Sequence, residues 1–168
     1  MRFGSFPVTE AEGMVLAHSV RTGAKIFKKG RVLSGEDIEA LSYAGVSTVY
    51  AAHLGIEDTQ EDEAAATIAA ALTGPNTRAD TAFTGRANLY ATAPGILRLN
   101  ESTINEINAL DEAITVATLP NFEVISEGQM LATVKIIPYA APKQLVEHAA
   151  SLATGTSPTL ELHPFKLK

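Results

Sequence analysis

Apolar residues in the first third of the chain come in short runs broken by turn-forming residues. Residues 14–17 (Met-Val-Leu-Ala) form one run. Residues 24–27 and 31–33 flank Lys28-Lys29-Gly30, where a glycine free to take positive φ predicts the turn of a β-hairpin. Ser34 then reads as a helix N-cap, with Glu36 and Asp37 in the first turn, where carboxylates suit the helix dipole. Ile38 and Leu41 recur at helical spacing and Gly45 fits the residue just past the stop, with a left-handed backbone. Residues 46–52 follow as a strand.

The pattern changes at residues 54–63, which are polar and acidic, and these feed a second helix over about 60–73. Glu61, Asp62 and Glu63 crowd its first turn, Ile68 and Leu72 stand at i and i+4, and Gly74-Pro75 ends it. Its apolar face is mostly alanine, which suits close packing against a neighbouring surface.

Most of the rest alternates as β-structure does. Strands are predicted over 87–91, 96–99 (after a Pro94-Gly95 turn), 113–119, 122–125 and 130–137 (after a Glu127-Gly128 turn). A short helix carrying Ile104, Ile107 and Leu110 interrupts them. Ile114, Val116, Leu131, Val134 and Ile136 lie in the two most β-branched runs and are the expected core. Pro138 ends the last of these strands, and Pro142 opens a final helix through Leu145, Val146, Ala149 and Leu152. Residues 154–158 have a linker composition, after which 159–168 resume alternation as a strand with no obvious partner; an ordinary edge strand is one reading of it. The fold class is therefore α+β. A small hairpin–helix–strand unit spans 1–57, and a helix plus a mainly antiparallel, barrel-like β domain with flanking helices spans 58–153.

Composition narrows the classes of function. With 168 residues the chain buries about 70% of its unfolded surface and needs no disulfide or metal to fold. The absence of Cys excludes thiolate zinc sites, iron–sulfur ligation and cysteine nucleophiles. A net charge of −6 argues against general nucleic-acid binding, and 6% aromatic residues with no Trp argue against base-stacking platforms. No signal-peptide core follows Arg2 and no run reaches the ~20 apolar residues of a membrane span, so a soluble, cytoplasmic protein is expected.

Little reads as catalytic. His18, His53, His148 and His163 are scattered, without metal-ligand spacing. Glu57-Asp58 and Glu61-Asp62-Glu63 suit Mg²⁺ in type, but a solvated helix N-terminus explains them more simply. There is no P-loop, no G-x-G-x-x-G and no G-x-S-x-G. One segment, Thr84-Gly85-Arg86-Ala87-Asn88, concentrates polar chemistry. Gly85 permits close backbone approach, Arg86 can grip phosphate or carboxylate in a fork, and Asn88 both donates and accepts. It reads either as an anion-contacting patch or as a β-turn entering a strand with Arg86 on the surface. Lys28-Lys29-Gly30-Arg31 is a second basic cluster, of the kind found at hairpin tips.

The order of several segments resembles a bacterial family of molybdopterin-binding proteins, related to the enzymes of late molybdenum-cofactor assembly. The resemblance runs through Gly13-Met14-Val15-Leu16-Ala17-His18, Lys29-Gly30-Arg31-Val32-Leu33, Glu61-Asp62-Glu63, Gly85-Arg86-Ala87-Asn88-Leu89, Ala117-Thr118-Leu119-Pro120 and Gly128-Gln129-Met130-Leu131-Ala132-Thr133-Val134-Lys135-Ile136-Ile137-Pro138, covering about residues 1–152. It implies molybdopterin as the cofactor, with Gly85, Arg86 and Asn88 as its contacts here. It also implies a following α/β domain holding most of the pterin, so that 154–168 would be a linker and the start of that missing domain. On this basis the chain is an accessory, non-catalytic N-terminal region with weak or absent pterin affinity of its own. Its expected partners are that missing domain, another protein or a second copy of the chain, with neither nucleic acid nor membrane. The alternatives are a protein–protein interaction module that touches no pterin, and an enzyme holding a small anionic substrate at Gly85, Arg86 and Asn88.

Overall fold

A computed structural model describes residues 1–23, 25–155 and 157–166. Ala24 of the expected hairpin, Thr156 of the expected linker, and Leu167 and Lys168 of the tail lie outside the described residues. The fold is α+β, with antiparallel sheets and four helices among the described residues, and the chain divides into two units, Met1–Asp58 and Thr59–Lys168.

The first unit is built on a three-stranded sheet. The unit has five strands, β1 (Arg2–Pro7), β2 (Val15–Leu16), β3 (Val20–Arg21), β4 (Ile26–Phe27) and β5 (Thr48–His53), of which β3 and β4 pair apart as a two-stranded ribbon, with helix α1 (Gly35–Tyr43) between β4 and β5. The sheet order is β1-β5-β2, so the first and last strands of the unit pair directly. Alternation along β5 turns Val49 and Ala51 towards a core that also holds Val8, Met14, Leu16, Phe27, Leu33 and Leu41. Helix α1 begins where Ser34 indicates. The Ser34 hydroxyl accepts from the Asp37 amide, and the Asp37 carboxylate accepts from the Ser34 amide, closing a capping box. Gly45 has φ +79°, the left-handed conformation expected past the helix end.

The hairpin is a correction. Residues 26–27 pair with β3, not with 31–33. The Lys28–Gly30 turn does form, but the arm that follows is taken by β2. The Leu16 amide donates to the Arg31 carbonyl, the Gly30 amide to the Leu16 carbonyl, and the Leu33 amide to the Met14 carbonyl. Met14 to Leu16 is the more buried partner, and satisfying its backbone groups outweighs the local pairing.

The second unit begins within the short strand β6 (Asp58–Gln60), at Thr59, and continues through α2 (Glu61–Leu72), β7 (Thr77–Ala79), β8 (Arg86–Ala91), β9 (Gly95–Leu99), α3 (Glu101–Leu110), β10 (Ile114–Thr118), β11 (Val124–Ile125), β12 (Met130–Ile136), β13 (Ala140–Pro142), α4 (Lys143–Ala153) and β14 (Leu160–Pro164). The sheet orders are β10-β12-β8-β7 and β11-β9-β14, with β13 paired to β6; no closed barrel is found among the described residues. Helix α2 lays its fully buried Ala64, Ala65, Ile68 and Ala69 against β8, β12 and α4. Ile114, Val116, Leu131, Val134 and Ile136 are all buried in the same core.

The tail strand has a partner. β14 pairs with the whole of β9, from Leu160 opposite Leu99 to Pro164 opposite Gly95, and buries Leu160 and Leu162 completely. The segment expected to be an unpartnered start of another domain is thus a strand of this unit's second sheet. The partner escaped notice because β9 lies some sixty residues upstream, beyond the reach of local pattern.

Candidate functional site: a basic sheet face

Strand alternation decides what the four-stranded sheet shows to solvent. On β8, Ala87, Leu89 and Ala91 point into the core, which leaves Arg86, Asn88 and Tyr90 on the outer face. On β12, Val134 and Ile136 point inward and Thr133 and Lys135 outward. Register brings these together: Lys135 stands opposite Arg86, Thr133 opposite Asn88, Thr115 of β10 opposite Lys135, and Arg78 of β7 opposite Tyr90. Arg78, Arg86 and Lys135 are exposed, and they are the charged residues of the four strands. In a chain of net charge −6 the charged residues within these four strands are thus all basic, and the carboxylate at this face is that of Asp80, just past β7, bonded to Asn88.

Each member is held differently. The Arg78 guanidinium lies 4.8 Å from the centre of the Tyr90 ring. Asn88 is locked by Asp80, which accepts from its amide at 2.7 Å and from its side-chain nitrogen at 3.1 Å. No carboxylate among the described residues lies within ion-pair distance of Arg86 or Lys135. The Thr133 hydroxyl is buried without a hydrogen-bond partner. A shallow depression of about 160 Å³, bordered by Ala117, Met130 and Thr133, opens beside it.

Gly85 is separated from this face by its role in the turn. Thr84 and Gly85 have φ +51° and +71°, and Phe83 and Arg86 exchange backbone hydrogen bonds across them at 2.9 and 3.2 Å. That is a two-residue hairpin turn with both central residues left-handed. The Gly85 amide donates to Asp62 Oδ1 at 2.6 Å, its carbonyl accepts from Ile136, and the residue is buried. Its N–H is already committed to a carboxylate and does not face the surface on which Arg86 stands. Of the three residues singled out in the sequence, Arg86 and Asn88 thus share a face, while Gly85 shapes the strand that carries them.

Other groups offer less chemistry. Two adjoining clefts of about 310 and 530 Å³ border the start of α3, where Asn121 both accepts from and donates to the Leu99 backbone. Neither is lined by Gly85, Arg86 or Asn88. His163 Nε2 lies 2.8 Å from Glu161 Oε1, and His18 meets Tyr50 edge-on. Among the described residues no group of three or more His, Asp or Glu is placed to hold a metal ion. In the Lys28–Arg31 cluster, Arg31 is drawn onto Asp37.

Sequence reasoning passed over Thr133 and Lys135, which lie in an apolar run, and Arg78, which lies in a polar stretch after Gly74-Pro75 where no strand is predicted. The signal that could have found Thr133 and Lys135 is the period-two alternation within 130–137, which puts both on the face opposite Val134 and Ile136. No described helix is long and apolar enough to cross a membrane.

Residues 5–53, inside the first unit, match the model of a domain of unknown function (DUF8806). No curated protein and no solved structure matches the chain.

Proposed function

We propose that this chain is a non-catalytic accessory region of a molybdopterin-binding protein, and that its basic sheet face contacts the phosphate end of the pterin. Two things support this reading: the ordered resemblance of residues 1–152 to that family, and the exposed, unneutralised guanidinium of Arg86 on a sheet whose charged residues are all basic. The second observation carries it, since a phosphate ester is the part of a pterin cofactor that an exposed arginine fork grips best. The test is calorimetric titration of a pterin phosphate into the chain and into Arg86→Ala. Weak, salt-sensitive binding that the substitution removes is expected. No binding, or binding indifferent to Arg86, overturns the proposal.

The first unit favours a second reading. Phe3 and Tyr50 stand on the same side of the β1-β5-β2 sheet, 54% and 56% exposed, as suits a protein–protein interaction module that needs no pterin. Failure of the pterin titration together with a self-association that Tyr50→Ser weakens would favour it.

A further inference from the structure

Arg86 and Lys135 are direct cross-strand neighbours, and the ladder sets how close they come. The Ile136 amide donates to the Gly85 carbonyl at 2.7 Å, so the backbone bond falls on the 85/136 pair. The next pair, Arg86 and Lys135, then occupies a non-hydrogen-bonded position, where facing side chains approach most closely, at about 4.5–5.5 Å between Cβ atoms. Two like charges placed so repel, and in an acidic chain a carboxylate opposite either would have been the ordinary choice. Neither cation has one among the described residues. On the same face, two residues along each strand, stand Asn88 and Thr133, the latter with its hydroxyl unpartnered.

We propose that Arg86 and Lys135 form a clamp for a phosphate or diphosphate group. The arginine fork would take two oxygens and the lysine ammonium would act on the group as a point charge. Bound phosphate turns the repulsion between the cations into attraction of both to one anion. The clamp deepens the pterin-phosphate reading and rests on it for the organic part of the ligand; the phosphate itself needs only the two cations.

The test uses the intact chain with pyrophosphate as probe, at low ionic strength and against sodium chloride of matched ionic strength. Pyrophosphate should raise the melting temperature, because it binds the native state, while chloride should not. Lys135→Thr and Arg86→Gln should each raise the melting temperature without anion, by relieving the like-charge pair. Each should also weaken pyrophosphate binding by about tenfold or more. A pyrophosphate effect no larger than that of chloride, or one that survives both substitutions, overturns the clamp. If pyrophosphate binds through both cations and a pterin phosphate binds no more tightly, the clamp stands and the pterin reading falls. If a pterin phosphate binds and Lys135→Thr leaves it unchanged, the clamp falls and the pterin reading survives.

Discussion

A methyl group at Gly85 would sit 2.7 Å from Glu61 Oε2 and 2.8 Å from the Ile136 carbonyl oxygen, on a backbone with φ +71°. The left-handed conformation alone costs a side-chain-bearing residue about 1–2 kcal/mol, and the contact with the Ile136 backbone cannot relax as a flexible side chain would. Gly85→Ala should therefore lower stability by more than that, read from the urea midpoint, while Thr84, already left-handed, tolerates Gly. The need for glycine here was legible in the sequence, but its cause was not. The carboxylates that crowd Gly85 come from α2, more than twenty residues upstream.

Asp37 shows the same limit. Its position in the first turn was readable from the sequence, but its burial and its three partners were not. The Arg31 guanidinium holds its carboxyl well below the usual range, with Lys25 and the Ser34 amide assisting and burial opposing. A depressed carboxylate contributes its stability above its unfolded pKa, about 3.9, and loses it as pH falls towards the folded value. The melting temperature should fall steeply below about pH 4. Asp37→Asn should lower it at neutral pH and flatten the acid-side slope. An unchanged slope would show that the ion pair does not couple to folding.

At the scale of elements, capping and periodicity located the helices closely. Ser34 starts α1, Gln60 starts α2 by accepting from the Asp62 amide, and the Ile104/Ile107 stripe is the buried face of α3. The strands were found wherever alternation ran for five residues or more. Of the two- and three-residue strands, β4 and β11 fell within predicted runs while β3, β6, β7 and β13 were missed, and so was β1, whose exposed Phe3 and half-buried Phe6 give no clear alternation. Pairing was the least legible feature, because it is decided by which distant backbone completes the hydrogen bonds. The tail illustrates this. Gly74 and Gly95 have no room for a Cβ because the carbonyls of Leu160 and His163 in β14 lie against them. The turn-forming character of both glycines was plain, but the strand that requires their bareness was not. If β14 is integral to the second unit, Leu162→Ala should cost about 2–5 kcal/mol through lost burial and a cavity. A change within error in the chemical denaturation midpoint would show that the strand is dispensable.

For the whole molecule, each unit carries its own apolar core, and the basic sheet face belongs to the second. Overall charge gave no hint of that face, because 19 acidic residues outnumber 13 basic ones. The distribution of charge, not its sum, marks it. The measurement that bears most directly on the face as an anion site is a titration of pyrophosphate into the isotope-labelled chain, followed by amide chemical shifts. Saturating changes are expected at Arg86, Asn88, Thr133 and Lys135 and should be absent in Lys135→Thr. Shifts confined to the start of α3, around Asn100 and Glu101, or spread evenly over exposed lysines and arginines, would contradict it.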